Sequence, residues 1–354
     1  MVGLHATADA AGQPWPDYSV SDRIFPILLR SVLYIARTEL FIIISIFLLF
    51  LALEKRPRTY KRVIAEQSRR LLVPYAFWTV FFVAFTLIKA YNFGYLEAEY
   101  ERLSSATKWA KIILLGESKY HMHFIPTLFG VVLAYPLYRI AMQFPAIGLC
   151  VLAFLLVKSH LDAFIYSEFW GTEYLGFLVR LIKILTYTGY GIVAASAFGY
   201  YQNLAPQTLI RWVPIITFFG GLLFLLKLIA SYKVITTGAY PYDYLPGYWA
   251  DFLMPIALFS VCLCLSSVKW SELFSKYAKY SFGIYLCHPV FLDVSEVLIS
   301  QSTWTPSQVI IAKIVVTIPS TIVFVHMLET SKSFGWTIGL GRQKTKSLSE
   351  GITK

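Results

Sequence analysis

Apolar stretches long enough to cross a bilayer recur along the whole chain. A helix needs about 20 mostly apolar residues to span the hydrocarbon core, which is about 30 Å thick. Nine stretches approach that length, at 39–54, 71–91, 124–142, 144–158, 174–200, 211–231, 249–267, 280–299 and 308–328. They predict an all-α fold, a polytopic membrane helix bundle with about nine complete transmembrane helices.

The composition supports the same class of fold. Of the 354 residues, 57% are hydrophobic and 14% are charged, whereas soluble domains carry about 45–50% and about 25%. So little polar surface cannot cover a water-facing globule, and the 17% aromatic content excludes a disordered chain. The cysteines lack the CxxC spacing of a zinc site and lie in apolar runs, at Cys150, Cys262, Cys264 and Cys287.

Basic residues predict the orientation of the bundle. Lys and Arg exceed Asp and Glu by 11, and the segment 54–70 is rich in them, so the positive-inside rule places it in the cytoplasm. Alternation then puts 92–123 outside and makes 329–354 a cytoplasmic basic tail. Basic and aromatic residues are not interleaved as in an RNA-binding surface, so we expect membrane lipid and no nucleic acid as a partner. We treat residues 1–354 as a single domain.

Ionisable residues inside spans are functional candidates because burying them in lipid is costly. Arg180 and Lys183 lie three residues apart on one helix face, and their partner is either a structural carboxylate or an anionic lipid or substrate. Lys227 and Lys313 are predicted to snorkel to the interface, and Asp251 to anchor a span there. The stretch 22–38, with three interspersed arginines, is predicted to be an interfacial or re-entrant helix.

Histidines are the second group of candidate functional residues in the chain. His121 and His123 open a span on the predicted outer side, and His288 lies within a span, whereas His160 and His326 have no accompanying pattern. The sequence carries no convincing motif for a nucleophile, and no third ligand joins the two neighbouring histidines, so no metal site is predicted. A histidine acting as general base on a substrate hydroxyl would fit this inventory.

Four patches, in order along the chain, resemble the acyltransferase-3 family of integral membrane acyltransferases. They are Glu39–Leu49, Ser68–Tyr75, His121–Pro126 and Tyr280–Pro289. The last, ending in Tyr-Leu-Cys-His-Pro, is the most specific. The chain departs from the family at Ile46, where glycine is usual, and at His123, where tryptophan is usual.

The resemblance implies a reaction. Members of this family transfer an acyl group, such as acetyl or succinyl, from acyl-CoA to a hydroxyl of a cell-surface or exported polysaccharide or of its lipid-linked precursor. The resemblance therefore implies a multi-pass protein of the cytoplasmic (inner) membrane, with acyl-CoA as donor substrate and no bound cofactor. Other polysaccharide-synthesis proteins are candidate partners.

The resemblance also implies site residues. His5 matches the family's signature histidine near the end of the first helix, so we expect the N-terminal residues to be the end of a helix that is otherwise missing. His5 and His288 are the predicted catalytic residues, although His288 is equally well explained as a packing residue. The predicted substrate-binding residues are Arg69, Arg70, Arg180, Lys183, His121 and His123. For Arg69 and Arg70 the expected ligand is the CoA phosphates, and a purely topological role is the alternative.

Two other functions remain open at this point. A transporter or flippase could line a polar path with Arg180, Lys183 and His288. An inactive acyltransferase-like paralogue could merely assemble with other polysaccharide-synthesis proteins. Aromatic residues in the loop 232–249 fit either sugar stacking or an interfacial belt; they are Tyr232, Tyr240, Tyr242, Tyr244, Tyr248 and Trp249.

Overall fold

The computed structural model describes residues 2–9, 11–240, 245–269, 272, 278–299, 303–331 and 333–340, and the regular secondary structure of these residues is helical throughout. This confirms the predicted all-α fold.

The α-helices with described bounds are α1 (Val2–Ala6), α2 (Val20–Leu33), α3 (Thr38–Lys55), α4 (Tyr60–Phe93), α5 (Leu96–Ser104), α6 (Ala106–Ala110), α7 (Phe124–Leu133), α8 (Tyr135–Gln143), α9 (Val151–Glu168), α10 (Leu175–Asn203), α11 (Pro206–Ile210), α12 (Val213–Thr237), α13 (Leu245–Cys264), α14 (Ser281–Ile299) and α15 (Pro306–Thr330). Short 3-10 turns occur at Tyr34–Ala36, Pro145–Cys150 and Gly335–Ile338, and a π-helical turn at Lys111–Leu115. Most of the predicted basic tail, and Tyr242 and Tyr244, lie outside the described residues.

The predicted spans correspond to helices of the structure. Among the described residues, 8 helical segments are long and apolar enough to cross a membrane, and α7 and α8 make a ninth if the pair forms one span bent by 62°. The bend falls where Pro136 opens α8, because proline lacks an N–H and its ring clashes with the carbonyl four residues earlier. Each of the nine predicted stretches overlaps one of these segments.

Helix α2 and the turn Tyr34–Ala36 cover the stretch 22–38 as far as residue 36, and its interfacial or re-entrant position stays a prediction. Helix α2, the following turn and α3 form one 36-residue helical segment. The three arginines of this stretch turn toward the protein. Arg23 is 8% exposed, and Arg30 and Arg37 line internal cavities.

Helix α10 forms the centre of the bundle and packs against α3, α8 and α9. Small residues allow the close approach that stabilises helix pairs in membranes. At Gly199 a Cβ atom would lie 2.3 Å from the carbonyl oxygen of Met142, so only glycine fits against this backbone.

Lysines within the spans pair with carboxylates of neighbouring helices. Lys227 Nζ of α12 lies 2.6 Å from Asp251 Oδ1 of α13, and Lys313 Nζ of α15 lies 2.9 Å from Glu296 Oε1 of α14. Both lysines therefore reach a carboxylate on the neighbouring helix instead of snorkelling, whereas the interfacial role of Asp251 stays a prediction. The physical reason is that a charge inside a bundle is stabilised by an opposite charge on the adjacent helix.

Candidate active site

Four histidines from three distant parts of the chain meet inside the bundle. His5 lies in the last turn of α1, His121 and His123 precede α7, and His288 belongs to α14. The rings of His5 and His288 stack with centroids 5.5 Å apart, and His121 meets His288 edge-on at 5.2 Å. Tyr120 covers His5, with ring centroids 4.5 Å apart.

The backbone of α14 fixes the tautomer of His288. Its Nδ1 lies 2.8 Å from the Tyr285 carbonyl oxygen and 3.1 Å from the Ile284 carbonyl oxygen. A carbonyl oxygen can only accept a hydrogen bond, so Nδ1 carries the proton and Nε2 keeps its lone pair. That Nε2 is buried and has no hydrogen-bond partner among the described residues. His288 thus presents a basic nitrogen to the cluster.

Helix α1 is short, and contacts at its C-terminal end hold it in place. Arg30 Nη1 donates to the Leu4 carbonyl oxygen at 3.1 Å, and Trp15 Nε1 donates to the Thr7 carbonyl oxygen at 3.1 Å. Lys313 Nζ lies 3.4 Å from the Ala8 carbonyl oxygen. Cations are favourable at helix C-termini, where carbonyl oxygens lack partners. These bonds position His5 against the cluster.

The turn that carries His121 and His123 is equally constrained. Tyr285 donates its hydroxyl to the His121 carbonyl oxygen. Arg180 donates to the Leu115 carbonyl oxygen and to Thr127 Oγ1, both at 2.8 Å. Arg180 therefore braces the turn and the first residues of α7.

The cluster opens onto a cavity of about 220 Å³. It is lined by Leu4, His5, Arg30, Tyr34, Arg37, Thr38, Tyr120, His121, His123 and Lys183. A second cavity of about 450 Å³ lies between α2, α12 and α13. Both cavities include Arg30, Tyr34 and Arg37 among their lining residues, so these three side chains form a shared wall.

Burial keeps the histidines outside the spans neutral. Loss of solvation lowers the pKa of His5 and of His121 well below the ordinary value, and the neighbouring His288 adds to the effect. Burial lowers the pKa of His123, and the positive charges of Lys183 and Arg180 lower it further. Burial raises the pKa of the Tyr120 hydroxyl, which stays protonated. At neutral pH the cavity therefore presents unprotonated imidazoles, the form that can accept a proton.

Comparison with protein-family models decides the class of the protein. The model of the acyltransferase-3 family, described as an acyltransferase domain, matches residues 1–326. The chain belongs to the acyltransferase-3 family. It is a multi-pass membrane O-acyltransferase. No curated protein and no solved structure matches the chain.

In this acyltransferase seven of the eight predicted site residues occupy two places, and the eighth, Arg180, braces the turn before α7. Five of them, His5, His121, His123, His288 and Lys183, line the smaller cavity or stack beside it. Arg69 and Arg70 are exposed on α4. Phe82 of the same helix contacts the His121 ring. It lies 12 residues after Arg70, which is roughly 18 Å along the helix axis at 1.5 Å per residue.

Sequence reasoning missed Arg30, Arg37 and Tyr34 as parts of the acyltransferase site. Their signal was present, because Arg23, Arg30 and Arg37 recur every seven residues, which is close to two helical turns and places them on one face. As for metals, no group of three or more His, Cys, Asp or Glu side chains in the described part of the chain is placed to hold an ion.

Proposed function

We propose that this acyltransferase moves an acyl group from acyl-CoA to a hydroxyl of a cell-surface or exported polysaccharide, or of its lipid-linked precursor, in the cytoplasmic membrane. The observation that carries the proposal is the stacked pair of His5 and His288 beside the smaller cavity, with unpartnered Nε2 atoms in both rings. A sugar hydroxyl is a poor nucleophile at neutral pH until a base removes its proton.

His5 is the proposed general base, because it lines the cavity. Its Nε2 takes the proton of the acceptor hydroxyl while the hydroxyl oxygen attacks the thioester carbonyl carbon. The C–S bond then breaks, the ester remains on the acceptor, and the CoA sulfur leaves and takes the proton back from the imidazolium. His288 stacks on His5 and its basic Nε2 supports the positive charge that forms during transfer.

The proposed donor site lies at the cytoplasmic end of α4. Arg69 and Arg70 are exposed there, and guanidinium groups pair well with the phosphates of CoA. CoA carries its thioester at the end of a long arm, which bridges the distance between these arginines and the histidine cluster.

The proposed acceptor site is the larger cavity. Tyr34, Tyr240, Tyr248 and Phe252 supply aromatic rings to its lining, and such rings bury the apolar faces of sugars. The wall shared with the smaller cavity brings an acceptor hydroxyl near His5. Tyr232, which is 67% exposed, lies outside this lining.

Transfer by the purified protein tests the proposal. The chain is reconstituted in vesicles with radiolabelled acyl-CoA and polysaccharide, and we expect label on the polysaccharide that mild alkali releases, as an ester requires. Arg69→Ala with Arg70→Ala should raise the KM for acyl-CoA, whereas Arg211→Ala, an exposed arginine elsewhere, should not. Movement of sugar across the vesicle without an ester would support a transporter and contradict the proposal.

A further inference from the structure

The charges around the two cavities do not balance. Arg30, Arg37, Lys183 and Lys227 line the cavities, and Asp251 is the carboxylate among the lining residues. Glu39 lies just behind Arg37 and is fully buried. Four cations thus face two carboxylates, which leaves an excess of two positive charges.

The two carboxylates form ion pairs with Arg37 and Lys227. Arg37 Nε lies 3.2 Å from Glu39 Oε2, and Lys227 Nζ lies 2.6 Å from Asp251 Oδ1. Glu39 also accepts a hydrogen bond from the Tyr187 hydroxyl. Its charge is therefore shared between Arg37 and Tyr187. Lys183 lies one helical turn away from Tyr187 on α10 and interacts with Glu39 electrostatically rather than through an ion pair.

Arg30 and Lys183 carry the excess charge. Within the described part of the chain, no carboxylate oxygen lies within 4.0 Å of either side chain. Arg30 contacts carbonyl and hydroxyl oxygens and the rings of Tyr34 and Tyr240. The Lys183 Nζ lies 5.2 Å from the Tyr187 ring centroid. Arg30 and Lys183 are half-buried, and cations partly withdrawn from water favour an anion beside them.

The smaller cavity limits the size of that anion. Its volume of about 220 Å³ lies below the range of about 300–1,000 Å³ typical of sites for drug-sized ligands. It suits a short acyl chain and is too small for a sugar unit together with the CoA arm. His5 and Lys183 both line this cavity, so a short acyl chain whose carbonyl lies at His5 stays within the lining that contains Lys183.

We propose that the acyl group transferred by this protein carries a free carboxylate, as a succinyl group does, and that Lys183 and Arg30 bind this carboxylate. The inference rests on the proposed function and narrows its donor from acyl-CoA in general to dicarboxylic acyl-CoA. Lys183 acts as the specificity residue. Arg30 has a double role, because it also holds α1 through the Leu4 carbonyl oxygen.

Succinyl-CoA and butyryl-CoA form a matched pair of donors, since both acyl chains have four carbons and only succinyl ends in a charge. The wild type should transfer succinyl with a kcat/KM at least about tenfold above that for butyryl, the size of one charge-assisted hydrogen bond. Lys183→Met should abolish this preference by lowering kcat/KM for succinyl transfer to the value for butyryl transfer. Lys183→Arg should retain it, and Lys233→Met, an exposed lysine on α12, should have no effect.

Binding separates failure of this inference from failure of the proposed function. If the protein transfers neither group but binds succinyl-CoA about tenfold more tightly than butyryl-CoA, and Lys183→Met removes the difference, the carboxylate site stands without the acyl transfer. Equal transfer and equal binding of both thioesters overturn the carboxylate site and leave acyl transfer in place. The carboxylate site is also overturned if the transfer rate depends on acidic groups of the acceptor and is the same for both donor thioesters.

Discussion

At the scale of single residues, burial decides which histidines can act as bases. His160 and His288 make the same local contact, with Nδ1 near the carbonyl oxygen four residues earlier. His160 is exposed, whereas His288 is fully buried and stacked on His5. The local sequence cannot distinguish the two, because the difference arises from the helices that pack around each ring.

The pH dependence of transfer should report the neutral state of His5. Burial and the neighbouring His288 lower the pKa of His5 below its usual 6.5, so the imidazole stays unprotonated as the pH falls through that value. We therefore expect kcat/KM to hold at pH 6.5 and to decline only in more acidic solution. An acidic limb centred at or above 6.5 would contradict this assignment.

The same shift sets the direction of the effect on stability. Below pH 6.5 the unfolded chain binds protons that the folded chain does not, so the free energy of unfolding decreases as the pH falls. The pH profile is therefore measured together with the fraction of folded protein. His160→Ala, a change at an exposed ring, should leave the profile unchanged.

Two glycines with the same backbone conformation provide a matched pair of variants. Gly116 and Gly94 have φ of +76° and +77°, so alanine strains both by a similar amount, about 1 kcal/mol. A Cβ atom at Gly116 would lie 2.6 Å from the His123 backbone nitrogen, whereas at Gly94 it would meet nothing within 4 Å. We expect Gly116→Ala to lose most of its acyl transfer and to melt at a lower temperature than Gly94→Ala, which should keep its activity.

At the scale of helices, the site depends on contacts that no local pattern reveals. Lys313 meets the Ala8 carbonyl oxygen across 305 residues of sequence, and Glu296 of α14 neutralises it. The hydropathy of α15 predicts a span but not the direction in which its lysine points. Hence the helix was predictable from the sequence, whereas its role in holding the His5 segment was not.

Removing either partner of the ion pair between Lys313 and Glu296 should destabilise the protein, but the two losses should differ in size. The side chain of Lys313 is 3% exposed and that of Glu296 is 23% exposed. Glu296→Gln leaves a deeply buried cation and should cost about 3 kcal/mol. Lys313→Met leaves a partly solvated carboxylate and should cost less. Thermal unfolding of both variants and of the double variant measures the coupling, and strictly additive effects would show that the pair contributes nothing.

At the scale of the whole molecule, the length of the apolar stretches predicted the spans, since a bilayer imposes a length on every helix that crosses it. The resemblance supplied the histidines that we propose as catalytic. Neither indicated that Arg30, Tyr34 and Arg37 separate two cavities, because that wall exists only once α2 packs against α12 and α13. The inward direction of the arginines at residues 22–38 was hidden for the same reason, since arginines that face the protein interior look like interfacial arginines in sequence.

The predicted orientation can be tested with single cysteines in a cysteine-free background. Glu101, whose side chain is 81% exposed, lies in the segment predicted outside, and Lys61, also exposed, lies in the segment predicted inside. A membrane-impermeant maleimide should label Glu101→Cys in intact cells, and Lys61→Cys only after the membrane is opened. The reverse pattern would mean that the histidine cluster is approached from the other side.

The central claim is that His5 removes the proton from the acceptor hydroxyl. The most direct measurement is the single-turnover rate of acyl transfer by folded His5→Ala protein, with His160→Ala as the control. General-base catalysis contributes about 10²–10⁴ in rate, so we expect His5→Ala to slow transfer at least about a hundredfold and His160→Ala to match the wild type. Transfer by His5→Ala at the wild-type rate would contradict the account.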